Sequence, residues 1–128
     1  MTDSGSVLLV EDDNLLAGII QRYLSAHGHP VRVVASAEEA GRALAEELPA
    51  LVLLDINLPG DSGWSLLHTP VMRADDAPPV VVVTAGSVTA RRLRESGVAE
   101  YLSKPFPLES LLATVERLTA SADLGHAL

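Results

Sequence analysis

The chain contains no cysteine. A disulfide framework, a thiolate metal site and a cysteine nucleophile are all excluded. Aromatic residues make up only 3 % of the 128 residues, so any core must be aliphatic. Positive charge is also short: nine Lys and Arg stand against 17 Asp and Glu, a net charge of −8. That balance argues against a nucleic-acid surface on this segment and favours a solvated exterior. No run reaches the ~18 apolar residues of a membrane span, and Met1–Ser6 lacks the basic and apolar parts of a leader. A cytoplasmic, soluble domain is the expectation. Neither GxGxxG nor GxxxxGK[ST] occurs, which leaves a nucleotide-cradling loop without support. Internal repeats and low-complexity tracts are missing too. What remains is one domain, long enough to bury roughly two-thirds of the surface its unfolded form exposes.

Five short apolar runs stand out: Val7–Val10, Val31–Val34, Leu51–Leu54, Val80–Val83 and Val98–Leu102. Val7–Val10, Leu51–Leu54 and Val80–Val83 are uniformly apolar, which suits parallel strands in a sheet covered by helices on both faces. Helical periodicities lie between them. Leu15, Leu16, Ile19, Ile20, Tyr23 and Leu24 form one stripe, closed by His27-Gly28, with Gly28 as the C-terminal stop. Ala37, Ala40, Leu44 and Leu48 form a second, with Ser36 placed to cap it and Glu38 and Glu39 in its first turn. Leu108, Leu111, Leu112, Val115 and Leu118 form the last, entered through Pro107.

Two helices are weaker. Pro70 interrupts Trp64–Ala74 and would cost about 3 kcal/mol inside a regular helix, so a break near Thr69 is expected. Ser87–Glu95 has only Val88 and Leu93 as apolar anchors, beside Arg91, Arg92 and Arg94. Weak anchoring suits an element that moves. Leu58–Ser62 and Asp76–Pro79 read as loops, and Ala120–Leu128 as a frayed end or the start of a linker.

The alternation is thus βα repeated five times. Right-handed crossovers leave few open-sheet orders. A doubly wound, five-stranded parallel sheet of order 2-1-3-4-5 makes strands one, three, four and five neighbours, and ligands bind beyond their carboxyl ends. The polar stops fall on those four strands. Glu11-Asp12 follows the first, Asp55 the third and Thr84 the fourth; Lys104 comes just past the fifth. Three converging carboxylates repel one another, so a divalent cation is their natural partner. Oxygen ligands favour Mg²⁺ or Mn²⁺ over zinc. Asp13 reads as the cap of the first helix. Carboxylates, a metal, a hydroxyl and an ammonium around one cavity describe phosphoryl transfer, with Asp55 attacking phosphorus to give an aspartyl phosphate.

These residues carry a resemblance. The motifs Leu9-Val10-Glu11-Asp12-Asp13, Leu54-Asp55-Ile56-Asn57-Leu58-Pro59-Gly60 with Ser62-Gly63, Val83-Thr84-Ala85 and Tyr101-Leu102-Ser103-Lys104-Pro105-Phe106 resemble those of response-regulator receiver domains of two-component signalling, over about residues 6–119. The resemblance implies a flavodoxin-like fold with Asp55 as phosphoacceptor. Asp12 would bind Mg²⁺ directly, Glu11 through metal-bound water and Asn57 by its backbone carbonyl. Thr84 would donate to the phosphoryl group and Lys104 would pair with it. Tyr101 would be the switch aromatic, turning inward when Thr84 moves, and Lys104-Pro105 would be cis. A sensor histidine kinase or a histidine phosphotransfer protein would donate the phosphoryl group. A downstream effector protein or effector domain would read the face built by the fourth helix, fifth strand and fifth helix. The resemblance also leaves room for a phosphorylation-dependent homodimer; the acidic charge and the short apolar runs argue for no nucleic-acid or membrane contact by this domain. It places a receiver domain at 1–120 and a tail or linker start at 121–128.

There are departures. The stretch from Thr84 to Lys104 is about two residues shorter than usual in the family, with the loss near Gly86–Thr89. Gly86 leaves a gap where many relatives carry a larger polar side chain, and such a gap would admit water to an acyl phosphate. Pro70 is unusual in the third helix. Two other classes stay open. An aspartate-nucleophile phosphatase would want an acid two residues past the nucleophile, where Asn57 stands. A phosphorylation-independent interaction domain on the same scaffold would need none of the acids. Of the remaining candidates, His27, His29, His68 and His126 are scattered over loops and helix ends. Arg91, Arg92 and Arg94 read as a solvated face, and Trp64 as a packing residue close enough to Asp55 to report on metal binding.

Overall fold

A computed structural model describes residues 6–58, 63–86 and 88–127, with side chains to residue 120. Strands β1 (Val7–Val10), β2 (Val31–Val34), β3 (Leu51–Asp55), β4 (Val80–Thr84) and β5 (Glu100–Ser103) form one sheet. Every pairing is parallel, in the order β2-β1-β3-β4-β5. The fold is the doubly wound one that the apolar runs predict.

Burial follows the pleat. Leu8, Val10, Val52, Leu54, Val80 and Val82 face one core, and Val7, Leu9, Leu51, Leu53, Val81 and Val83 face the other. Helices α1 (Asn14–Ala26) and α6 (Leu108–Ala127) cover the second face, through Ala17, Ile20 and Leu24 and through Leu111 and Val115. Helices α2 (Ala37–Glu46) and α3 (Gly63–Leu67) cover the first, through Ala40, Leu44, Leu66 and Leu67. The central strands β1, β3 and β4 are buried throughout, whereas β2 and β5 have a neighbour on one side only and are half-exposed.

Local chemistry sets the ends. The Asp13 carboxylate accepts the Leu16 N–H at 3.1 Å and caps α1. Ser36 Oγ accepts the Glu39 N–H at 3.1 Å and caps α2. Gly28, with φ of 90°, closes α1 in the left-handed region that favours glycine. The third helix is broken as Pro70 predicts: α3 ends at Leu67, and a separate turn α4 (Pro70–Arg73) begins with Pro70 at its first position. Gly63 starts α3 so close to β3 that a Cβ there would lie 2.7 Å from Ile56 Cα and 2.9 Å from the Asp55 carbonyl oxygen.

Four expectations need correcting. The fifth strand begins at Glu100 and not at Val98, because its ladder with β4 starts at the pair Val81 and Glu100. Helix α5 covers Ala90–Ser96 and not Ser87–Glu95, since Thr89 accepts the Arg92 N–H at 3.1 Å and caps it there. The last helix continues beyond Leu118 to Ala127, past the position at which its stripe of apolar residues stops. Leu15 and Ile19 are 74 % and 37 % exposed, because α1 meets the sheet along the line of the small Ala17. Positions 1–5, the loop and motif residues at 59–62, Ser87 and Leu128 lie outside the described residues, as does the His126 side chain.

Candidate functional site

The strand ends meet at the carboxyl edge of the sheet. Glu11 extends β1 by giving its N–H to the Val34 carbonyl at 3.0 Å, which turns its side chain into the protein at 1 % exposure. Asp12 is exposed beside it. Asp55, the last residue of β3, is 4 % exposed. One carboxylate oxygen from each of Glu11, Asp12 and Asp55 lies within 4.8 Å of the others. Lys104, one residue past β5, reaches over them. Its Nζ donates to Glu11 Oε1 at 2.7 Å and to Asp55 Oδ2 at 3.1 Å. Its N–H also donates to the Thr84 carbonyl at 2.8 Å, and the Lys104-Pro105 peptide is cis.

The electrostatics follow from burial. Burial raises the Glu11 carboxyl above the usual carboxylate range, although the bond from Lys104 and the Asp13 N–H pull it down. Burial alone would lower the Lys104 ammonium, but its bonds to Glu11 and Asp55 outweigh that and hold it above the ordinary lysine value. Both values rise, by burial at Glu11 and by the two carboxylate partners together at Lys104. Three acids against one ammonium leave an excess of negative charge and an all-oxygen donor set. A hard divalent cation such as Mg²⁺ fits those donors.

The remaining predicted residues join the same edge. Asn57 gives its N–H to Asp55 Oδ1 at 2.8 Å and its Nδ2 to Thr84 Oγ1 at 2.6 Å. The Gly86 N–H donates to Thr84 Oγ1 at 3.3 Å, and Tyr101 OH donates to the Gly86 carbonyl at 3.0 Å. Sequence reasoning assigned Asn57 only its backbone carbonyl and Gly86 only an empty space. Both prove to be hydrogen-bonding links. Asn at 57 carries a donor that a spacing argument had no reason to aim at Thr84.

Other candidates are placed elsewhere. His27 Nδ1 lies 2.8 Å from the Tyr23 carbonyl oxygen, and His29 lies 3.6 Å from Glu116. Arg91 pairs with Glu95 at 3.0 Å along α5. The Arg92 guanidinium sits 4.4 Å over the Trp64 ring, a contact not foreseen from the sequence. Beside Lys104 opens an apolar groove of about 440 Å³, lined by Leu16, Ile19, Ala85, Lys104, Pro105, Phe106 and Leu108. Among the described residues, no helix is long and apolar enough to cross a membrane.

Comparison with known proteins agrees with this geometry. The response regulator receiver domain family matches residues 7–116. The transcriptional regulatory protein GltR of Pseudomonas aeruginosa is 36 % identical over 122 residues, which cover 91 % of this chain and 50 % of that protein. The chain therefore spans about half the length of the curated relatives it matches. Among solved structures, the signal receiver domain of a putative Luxo repressor protein from Vibrio parahaemolyticus is similar at a TM-score of 0.84 and 26 % identity, covering 96 % of this chain and 95 % of that one. The response regulator TrrA of Thermotoga maritima, solved in complex with Mg(2+)-BeF, is similar at a TM-score of 0.78 and 26 % identity, covering 88 % and 97 %.

Proposed function

We propose a function from one premise: the chain belongs to the response regulator receiver domain family. It is a signalling switch of a two-component system, not an enzyme with turnover of its own, and Asp55 is its phosphoacceptor. The observation that carries this reading is the buried Asp55 carboxylate held between the Lys104 ammonium and the Asn57 N–H, beside two further acids.

A sensor histidine kinase or a histidine phosphotransfer protein brings the phosphoryl group as a phosphohistidine. An Asp55 carboxylate oxygen forms the new O–P bond as the N–P bond breaks, and the electron pair leaves on the imidazole. Lys104 and the Thr84 hydroxyl then face the phosphoryl oxygens. The carboxylates of Glu11, Asp12 and Asp55, with the Asn57 carbonyl, would hold Mg²⁺, with Mn²⁺ a substitute, and the ion would supply charge neutralisation on those oxygens. The donor protein covers the apolar groove beside Lys104, where Ile19 stands exposed.

Output follows from Thr84. Its move toward the phosphate draws the loop at Gly86, and Tyr101 turns inward. The face altered is α5-β5-α6, which corresponds to the fourth helix, fifth strand and fifth helix because Pro70 splits the third helix in two. An effector protein or effector domain reads that face, with a phosphorylation-dependent homodimer as one form of output. GltR is named a transcriptional regulator and is twice as long as the match, so an attached effector is the analogous arrangement. The receiver unit spans 1–120, the segment 121–128 leads out of it, and the domain works in the cytoplasm.

The test is incubation with acetyl phosphate and Mg²⁺ followed by mass measurement. Wild type should gain one phosphoryl mass, and Asp55→Ala should gain none. Equal gain by both proteins, or none by wild type, ends the proposal.

A further inference from the structure

The apolar groove shares two residues with the acid cluster's edge of the sheet. Lys104, whose Nζ lies 3.1 Å from Asp55 Oδ2, forms part of its lining, as does Ala85, the residue after Thr84. The other walls are aliphatic or aromatic: Leu16 and Ile19 of α1, Phe106, and Leu108 at the start of α6. At about 440 Å³ the groove is far larger than an acetyl group needs. Lys104 is the one charged residue in the lining, and two of its three ammonium donors already go to Glu11 and Asp55. The charges at the α1 entrance are acids. Asp12 and Asp13 are exposed there, and Asp13 caps the turn that carries Leu16.

We infer that this groove is a leaving-group subsite, in which Ile19 and Phe106 determine specificity for a phosphodonor that releases a flat, uncharged ring. The inference rests on the phosphoryl-switch reading above and concerns only what departs from phosphorus. In-line displacement puts the departing atom on the side of phosphorus away from Asp55. With a proton on its other ring nitrogen, a phosphorylated imidazole departs neutral as the N–P bond breaks. Acetyl phosphate departs as acetate when its O–P bond breaks. Apolar walls take in the neutral ring readily. A carboxylate would shed hydration there, find few donors, and face the acids at the entrance. Ile19 is 37 % exposed, so a ring can reach it. Leu15 is more exposed, at 74 %, yet lies outside the lining and serves as a control on the same helix.

The experiment follows phosphorylation of the full chain with Mg²⁺ by mass measurement, using monophosphoimidazole and acetyl phosphate as donors. The readout is the ratio of the two rates in each variant, which cancels the donors' intrinsic reactivities. Loss of one apolar contact in a half-open groove should make the ratio fall roughly three- to tenfold in Ile19→Ser. Ile19→Leu should keep the wild-type ratio, and so should Leu15→Ser. An unchanged ratio in Ile19→Ser, or an equal fall in Leu15→Ser, overturns the subsite while leaving Asp55 phosphorylated and the switch reading intact. A second arm needs no phosphodonor. Imidazole, titrated at alkaline pH where the ring is neutral, should shift the NMR signals of the Ile19 and Leu108 methyls and the Phe106 ring, and acetate should not. Equal shifts by both, or none by imidazole, overturn the subsite. A wild type labelled by neither donor counts against the switch reading instead, and the titration then decides on the ring site.

Discussion

Glu11 is the residue at which charge and fold are most opposed. Its carboxyl is held above the usual range chiefly by burial, so the folded chain binds the Glu11 proton more tightly than the unfolded chain does. Stability from such a group is complete below the unfolded pKa and is lost as pH rises through the folded one. With chelator present, wild type should lose unfolding free energy relative to Glu11→Gln as pH climbs from acid through that window. Parallel urea-denaturation curves across pH would refute this. Gly86 makes a second residue-scale case. An added Cβ there would meet Asn57 Nδ2 at 3.8 Å, an ordinary van der Waals contact. A glutamate there would cover the approach of water to an acyl phosphate on Asp55, so phosphorylated Gly86→Glu should decay a few-fold more slowly than wild type by mass measurement. Faster decay would count against an open path at Gly86. The site's main residues were legible because each ends an apolar run. The Asn57 and Gly86 links were not, because a side-chain amide and a backbone carbonyl carry no periodic signal.

At the scale of elements, α5 is weakly anchored. None of its described residues is buried, and its start depends on the Thr89 cap. The Arg92 guanidinium over Trp64 joins it to α3. A cation–π contact at an exposed site contributes about 0.5–1 kcal/mol, which is large for a helix of seven residues with no buried side chain. Arg92→Ala should lower hydrogen-exchange protection across Ala90–Ser96, shift Trp64 fluorescence, and leave the amides of β1 and β3 as they were. Unchanged protection in α5 would show that the helix is held by something else. The same looseness explains which elements the sequence pattern reached. Central strands β1, β3 and β4 are buried on both faces, so uniform apolar runs mark them. Edge strand β5 reads Glu100-Tyr101-Leu102-Ser103, half-exposed up to an exposed Ser103, and an apolar run could not fix its start. In α1 the buried line passes through Ala17, whose small side chain permits close packing on the sheet but adds little to a hydrophobic stripe.

The whole molecule carries a net charge of −8 and gathers three of its acids at one sheet edge, with Lys104 among them. Two effects of added Mg²⁺ must then be separated. Diffuse screening relieves repulsion among all surface acids, and any salt of equal ionic strength supplies it. Binding at the acid cluster adds a linkage term that only a ligand of the folded state provides, about 1.4 kcal/mol at tenfold its Kd. For a domain of this size, that corresponds to roughly 4 °C in the unfolding midpoint. MgCl₂ should therefore raise Tm by several degrees more than NaCl at matched ionic strength. Asp12→Asn and Asp55→Asn each remove one carboxylate from the cluster while lowering the net negative charge by the same single unit as an acid-to-amide change elsewhere. Asp76→Asn, in the loop before β4, supplies that control. Loss of the Mg²⁺-specific increment in the first two variants, with its retention in the third, would assign the effect to the cluster. Equal Mg²⁺ and NaCl shifts in wild type would mean that the acids act as a diffuse field, and Asp55 would then sit at an edge with no specific hold on a cation.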